Sequence, residues 1–336
     1  MTRPDDDQPT PSPEALFAPW TAQLRTTLTP THVNELTRDG YTVIDDFWTP
    51  PIATALRTEL DHLTEHDLWL PNRTHFVTAQ SQPMETTKPD IYEVDMHSLP
   101  HRKALPNFAY VFSHITTQIA ARLQALDPSL AMALGPAQDH HTVKLQRNAG
   151  HGGCFPLHYD NPGPPNQRKI TMLTYLNPSW QDGDGGELQL VPFLRPPVRL
   201  APTMDRVVLF AADTVLHRVL PARVPRLCFT VWMDGEQTNR AEDLTLRSAG
   251  GGVEATVNQL RNHPAQRLVT RCVYREAFEA SLRACMRGRM GEKEMIAAHE
   301  KHVTQAQANG GLWRLVCAMR DYHELLQLSE GWELVL

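Results

Sequence analysis

Two residues near the middle of the chain, His158 and Asp160, have the types and the spacing of a metal-binding pair. They lie at the end of FPLHYD, an apolar segment typical of a β-strand, where residues i and i+2 project from the same face. A second imidazole would complete the set of two histidines and one carboxylate that suits iron(II) and leaves coordination positions open. His217, in the apolar segment TVLHRVL, is the candidate for that ligand. Alone, the His-x-Asp pair is weak evidence, because the chain contains 16 histidines.

Arg226 adds a second chemical function to this group. It follows His217 by nine residues and begins the segment RLCFTVWM, so antiparallel pairing would return it to the neighbourhood of the metal. A guanidinium binds a carboxylate through two parallel hydrogen bonds, which makes Arg226 the candidate partner for the distal carboxylate of a dicarboxylate co-substrate. Taken alone, Arg226 would be interpreted as a surface cation. Its place in order after the three candidate ligands favours one shared site.

Two other groups of ligand-type residues are poorer candidates. Asp95, His97 and His101 lie in a segment without strand periodicity, which favours a solvated or lid segment. The segment 182–186, DGDGG, resembles a calcium loop but lacks the bidentate glutamate at the twelfth position. A hairpin turn before GELQLV accounts for it.

The predicted elements place the candidate site in a β-rich core between two helical regions. Seven short apolar segments separated by Gly, Pro, Asn and Asp predict a sandwich or barrel: HTVKLQR, FPLHYD, KITMLTYLN, GELQLVPF, DRVVLFAA, TVLHRVL and RLCFTVWM. Upstream, a strand is predicted at 41–47 and a helix beginning at Thr49-Pro50, whereas 66–104 show no clear period. Another helix is predicted from about Phe108 to a close near Asp127-Pro128. Helical periodicity returns after Asp234, in two segments separated by a charged stretch.

Composition limits the classes of partner and compartment. The formal charge of -6 is spread over interspersed acidic and basic residues, which argues against nucleic acid and against a membrane surface. The five cysteines are odd in number and scattered, which favours a reducing compartment and argues against a thiolate zinc site. An acidic, proline-rich N-terminus and the lack of a long apolar segment predict an intracellular protein, cytoplasmic or nuclear.

The stretch from about 142 to 234 resembles the catalytic core of the prolyl 4-hydroxylase branch of the 2-oxoglutarate/Fe(II)-dependent dioxygenases, most nearly the hypoxia-factor type. The resemblance rests on HYDNPGPPNQRKITMLTYLN, GGELQLVPF and DRVVLFAADTVLHRVLPARVPRLCFTVW, with weaker similarity in LTRDGYTVIDDFWTPPIATALRTEL. It implies an α+β protein with a double-stranded β-helix (jelly-roll) core, flanked by N-terminal helices and a C-terminal helical extension. The corresponding expectation for domains is a disordered tail (1–14), an N-terminal helical support region (15–140), the dioxygenase core (141–237) and a C-terminal helical region (238–336).

The resemblance also implies a ligand set and a reaction. His158, Asp160 and His217 would bind Fe(2+), Arg226 would form a salt bridge with the C5 carboxylate of 2-oxoglutarate, and the Tyr175 hydroxyl would support the same carboxylate. No catalytic residue beyond the metal centre is implied. The enzyme would consume 2-oxoglutarate and O2, hydroxylate a C–H bond, release succinate and CO2, and use L-ascorbate as a reductant.

Three alternatives remain for the substrate and role. The similarity to the prolyl branch and the sequence Asn161-Pro162 favour hydroxylation of a prolyl residue in a protein or peptide. The family places a tyrosine about ten residues before the first ligand, where this chain has Arg147 or Asn148. That departure and the C-terminal helices favour another side chain or a small metabolite. The third alternative is a non-catalytic binding protein that uses 238–336, against which the complete set of four site residues argues.

Overall fold

The computed structural model describes residues 11–236, 252–261, 263 and 265–330. Its strands are β1 (Tyr41–Ile44), β2 (Leu70–Val77), β3 (Pro83–Asp95), β4 (His141–Asn148), β5 (Gly153–His158), β6 (Arg168–Tyr175), β7 (Leu188–Val191), β8 (Val198–Leu200), β9 (Val207–Ala211), β10 (Leu216–Ala222) and β11 (Arg226–Asp234). Its α-helices are α1 (Pro13–Thr27), α2 (Pro30–Asp39), α3 (Pro50–Glu65), α4 (Leu99–Ala104), α5 (Pro106–Tyr110), α6 (Thr116–Leu126), α7 (Ala137–His140), α8 (Gly252–Arg261), α9 (Gln266–Val273), α10 (Arg275–Met286), α11 (Glu292–Ala308) and α12 (Gly310–Glu330). A π-helical turn (Val111–Ile115) joins α5 to α6, and Pro128–Leu130 form a 3-10 turn.

The described strands form two antiparallel sheets. The major sheet has the order β1-β9-β6-β11-β4-β3-β2, and the minor sheet has the order β5-β10-β7-β8. Side chains from both sheets meet in one buried cluster that includes Leu173 of β6, Leu190 of β7 and Phe210 of β9. Two facing antiparallel sheets of this kind form a jelly roll. The predicted fold class is therefore confirmed.

The N-terminal helices cover the other face of the major sheet. In α3, Thr49 precedes the helix and Pro50 begins it, where a missing backbone N–H costs nothing. Leu56 and Leu60, one helical turn apart, are fully buried and share a hydrophobic cluster with Phe229 of β11. This packing fixes the sheet whose opposite face forms one wall of the jelly-roll interior.

The C-terminal helices cover the minor sheet in the same way. Leu216 of β10 packs in a cluster with Val269 of α9 and Phe278 of α10. Because alternate strand residues face opposite sides, His217 next to Leu216 projects into the jelly-roll interior. An apolar stripe on α12 belongs to or packs against this cluster; its members are Leu312, Leu315, Met319, Tyr322 and Leu326.

The cysteine interpretation needs correction. Cys154 of β5 and Cys285 of α10 form a disulfide, although their positions are 131 residues apart. Scattered cysteines had favoured a reducing compartment, but sequence spacing carries no information on which thiols the fold brings together. Among the described residues no helix is long and apolar enough to cross a membrane.

Several predicted boundaries also shift. Residues 66–104, which showed no period, contain the long hairpin β2–β3, and β1 and this hairpin extend the major sheet, so the region 15–140 contributes strands as well as helices. The charged stretch of the C-terminal region is helix α11. Pro13 and Glu14, in the predicted tail, begin α1, and 1–10 lie outside the described residues. The domain boundaries predicted for the dioxygenase core, at 141 and 237, stay a prediction.

Candidate metal and co-substrate site

His158, Asp160 and His217 converge at one end of the jelly-roll interior. His158 ends β5 and is the direct cross-strand neighbour of His217 on β10. Asp160 Oδ1 lies 3.6 Å from His158 Nε2, and Asp160 Oδ2 lies 3.6 Å from His217 Nε2. One ligand atom from each residue lies within 4.8 Å of the others. The structure thus brings together the three residues that the sequence selected.

Backbone carbonyls orient both imidazoles. His158 Nδ1 lies 2.8 Å from the carbonyl oxygen of Pro156, and His217 Nδ1 lies 3.2 Å from that of Val215. A carbonyl oxygen only accepts, so each Nδ1 carries the proton and each Nε2 presents a lone pair toward the other ligands. This is the tautomer that a metal ligand needs.

The charge states of the group also suit a divalent cation. Burial lowers the pKa of His217 to about 4, so its imidazole is neutral at physiological pH. Burial alone would raise the pKa of Asp160, but the neighbouring imidazoles and the Thr171 hydroxyl outweigh it and lower this pKa well below its usual range. Thr171 donates to Asp160 Oδ2 at 2.7 Å. Two imidazoles and one carboxylate are a donor set that suits iron(II).

Arg226 lines the same cavity as the three candidate ligands, a space of about 230 Å³. It is 2% exposed, and its Nη1 donates to Cys228 Sγ at 3.3 Å. Its Nε and Nη2 are buried and have no hydrogen-bond acceptor within the described residues. A buried guanidinium with free donors is costly unless an anion pairs with it, so this end of the cavity fits a carboxylate.

Tyr175 lies beside Arg226 at the same buried end. The guanidinium carbon of Arg226 is 4.8 Å from the centre of the Tyr175 ring. Burial raises the pKa of the phenol to about 12, so the hydroxyl stays protonated. Among described residues the hydroxyl oxygen has no hydrogen-bond acceptor, which leaves it free to donate to the same anion.

Sequence reasoning missed other residues around the site. Thr171 lines the cavity and alternates with Leu173 and Tyr175 along β6, so the three side chains project from the same face of the strand. The two-residue period from Tyr175 was therefore a usable signal for Thr171. Gly186, in the turn before β7, has a positive φ, and a Cβ there would lie 3.0 Å from Arg226 Cδ. The predicted turn therefore also makes room for the Arg226 side chain, a close approach that no local pattern reveals.

Other residues that the sequence singled out lie elsewhere. Asn148 is buried, donates to the Gly153 carbonyl and accepts from Gly150 N, so it closes the β4–β5 turn and is not among the described residues that line the cavity. His97 contacts the carbonyl of His141, also away from the ligands.

Comparison with known proteins supplies an independent line of evidence. A model of the 2OG-Fe(II) oxygenase superfamily matches residues 143–234. The chain is similar to a prolyl 4-hydroxylase crystal structure from Phytophthora capsici, with 36% identity, a TM-score of 0.79 and coverage of 96% of this chain and 100% of that chain. A prolyl hydroxylase from Trichoplax adhaerens, solved with a hypoxia inducible factor peptide, has 22% identity and a TM-score of 0.50 over 65% of this chain and 94% of its own. The second likeness shows the fold alone, whereas the first extends through both helical regions.

Proposed function

Because the chain belongs to the 2OG-Fe(II) oxygenase superfamily, in its prolyl 4-hydroxylase-like branch, and is therefore a dioxygenase, we propose that it hydroxylates prolyl residues of a protein or peptide. The proposed Fe(2+) ligands are His158, Asp160 and His217. Arg226 and Tyr175 are the proposed partners of the 2-oxoglutarate C5 carboxylate. L-ascorbate is the proposed reductant.

One observation carries this proposal. A group of three candidate metal ligands lines a single small cavity together with a buried guanidinium, two of whose nitrogens have no acceptor among the described residues. A dicarboxylate that binds a metal at one end and Arg226 at the other would satisfy both. The likeness over nearly the whole chain to a prolyl 4-hydroxylase supports the prolyl substrate.

The chain's own residues bind, orient and exclude water. When bound, iron would bring 2-oxoglutarate and O2 together: O2 is the oxidant, one of its oxygen atoms enters the substrate as the new hydroxyl group, and the other enters succinate as 2-oxoglutarate is oxidised with loss of CO2. Arg226 and the Tyr175 hydroxyl hold the distal carboxylate, which fixes the other end of the co-substrate. Leu173 and Val219 line the cavity and limit water near the ligands.

The proposal is tested by 2-oxoglutarate-dependent succinate formation with Fe(2+), L-ascorbate and proline-containing peptides. We expect His158→Ala to abolish peptide-dependent turnover, because two ligands do not hold the metal in a facial arrangement. We expect Arg226→Ala to raise the KM for 2-oxoglutarate by about 100-fold or more, because the buried carboxylate loses its charged partner. The matched control is Arg223→Ala, which replaces an exposed arginine in the turn between β10 and β11 and should behave as wild type.

Two outcomes separate the parts of the proposal. Equal succinate formation by the wild type, His158→Ala and Arg226→Ala proteins would refute the assigned site. Mass spectrometry of a treated lysate tests the substrate: addition of one oxygen to metabolites and never to prolines would refute prolyl hydroxylation and leave the dioxygenase activity intact.

A further inference from the structure

A second cavity, of about 620 Å³, lies beside the metal site. Its walls are the β2–β3 hairpin, β5 with the loop that follows it, and helices α9, α10 and α11. We call it the helical chamber. Lys88, Phe155 and His158 line both this chamber and the metal cavity, so the chamber leads directly to a candidate metal ligand. Its volume is within the range of pockets that bind drug-sized ligands.

The charged side chains among the described residues that line the chamber are cationic. Lys88, Arg267 and Arg271 line it, and no Asp or Glu is among its described lining residues. Much of the remaining wall is apolar; it includes Phe76, Pro156, Leu157, Phe278, Leu282 and Met295. An occupant that matches these walls has an apolar body and at least one anionic group.

The three cations are not equally available. Lys88 Nζ donates to Asn72 Oδ1 at 3.0 Å and lies 4.9 Å from the centre of the Phe155 ring. Arg267 Nη1 donates to the carbonyl of Asn161 at 2.8 Å, so its head is held next to the loop that carries Asp160. Both side chains are thus positioned by neighbours within the protein.

Arg271 differs from the other two. Its only side-chain contact given by the described residues is with the Phe278 ring, 5.6 Å from the guanidinium carbon to the ring centre. The Arg271 side chain is accessible to solvent and lines the concave chamber. The surrounding chamber walls partly desolvate the guanidinium, which lowers its pKa. Within the described part of the chain no carboxylate lies within ion-pair distance of it. Its donors are therefore available to a ligand inside the chamber.

From this arrangement we propose that the helical chamber binds the peptide segment that flanks the target residue, and that Arg271, next to Arg267, recognises an acidic side chain in that segment. The substrate class is then an acidic, partly apolar peptide. The inference rests on the proposed function, because a peptide must reach the metal site for the chamber to serve as its binding surface. It also assigns the C-terminal helices a role in specificity, since α9 supplies both arginines.

Two pools of capped proline-containing peptides test this inference, one with Glu and one with Gln at the positions around the proline. Each pool is mixed, without oxygen, with protein that holds Fe(2+) and 2-oxoglutarate, and bound peptides are counted by mass spectrometry. We expect the wild type to retain the Glu pool about ten-fold more than the Gln pool. We expect Arg271→Gln to reduce this preference to less than about two-fold, and Arg271→Glu to favour a third pool with Lys at the same positions.

The matched control is Arg314→Gln, which removes the same charge from an exposed position on α12 outside the chamber. It should keep the wild-type preference. Equal retention of the Glu and Gln pools by the wild type, at any level, would overturn the inference, as would an unchanged preference in Arg271→Gln. Admission of oxygen then tests the proposed function separately. If Glu peptides are retained through Arg271 but no proline is oxidised, prolyl hydroxylation alone is refuted. If the prolines of both pools are oxidised at equal rates, only the acidic preference is refuted.

Discussion

Thr171 shows how one hydroxyl can tune the candidate metal site. Its hydrogen bond to Asp160 Oδ2 holds the carboxylate in the orientation that faces both imidazoles. Loss of such outer contacts typically weakens metal binding about 10- to 100-fold. We therefore expect Thr171→Val to raise the Fe(2+) dissociation constant by a factor in this range, measured by competition with a chelator under anaerobic conditions.

The control for this prediction lies on the same strand. Thr174 is also buried, and its hydroxyl has no hydrogen-bond partner within the described residues. Thr174→Val should leave Fe(2+) affinity unchanged, because that hydroxyl makes no contact with a ligand. Equal affinities in the Thr171→Val and wild-type proteins would show that the hydroxyl does not orient Asp160.

The site residues differ in how far the sequence could predict them. His158 and Asp160 were accessible because a two-residue spacing on a strand is local information. His217 and Arg226 required the order and pairing of later strands, which the apolar segments suggested and the resemblance supported. Thr171 and Gly186 act through contacts with residues 11 and 40 positions away. The alternation with Tyr175 could place Thr171 on the site face of its strand but could not predict its contact with Asp160, and nothing near Gly186 in the sequence marks its role. Their roles follow from the packing of strands and not from sequence pattern.

Among the elements, the missed ones share a physical cause. The β2 strand is exposed or half-buried at all but one position, so its sequence has no apolar alternation to detect. In α11 the buried positions follow a helical spacing, but they are Ile296, His299, Val303 and Ala306, of which two are poor hydrophobic markers. The seven predicted β-segments were found because at least one face of each is buried in the jelly roll.

Asp205, in the turn before β9, predicts a pH dependence for the junction between β1 and α3. Its carboxylate accepts from Trp48 N at 2.9 Å, while burial raises its pKa to about 7. A carboxyl whose folded pKa exceeds its unfolded value stabilises the fold at low pH, and this contribution is lost as pH rises from about 4 to about 7. We expect Asp205→Asn to gain stability relative to wild type over that window, by up to about 4 kcal/mol at neutral pH, measured by urea unfolding.

Asp45 provides a control of opposite sign. Its salt bridge with Arg206, 2.6 Å between Oδ1 and Nε, holds its pKa below the usual range. Asp45→Asn should therefore lose stability relative to wild type as pH rises through about 4, and only slightly, because the pair is at the surface. Parallel pH profiles for the two variants would contradict the assignment of the raised pKa to Asp205.

Across the whole molecule, the two helical regions pack on different sheets of the jelly roll. The N-terminal helices share a hydrophobic cluster with the major sheet, and the C-terminal helices share one with the minor sheet. The α9, α10 and α11 helices also form walls of the helical chamber. The position of these helices relative to the site could not be predicted, because it depends on contacts between residues far apart in the sequence, such as the hydrogen bond from Leu157 N to Ser281 Oγ across 124 positions.

The Cys154–Cys285 disulfide links the C-terminal helices covalently to the jelly roll, because it joins α10 to β5, the strand that ends in His158. In the chain-entropy account, a cross-link between positions 131 residues apart stabilises the fold by up to about 5 kcal/mol. We expect Cys285→Ser to unfold at lower urea, while Cys317→Ser, which removes an exposed free thiol, unfolds with the wild type. Protein denatured without reductant should show three reactive thiols; five would contradict the cross-link and restore the expectation of reduced cysteines.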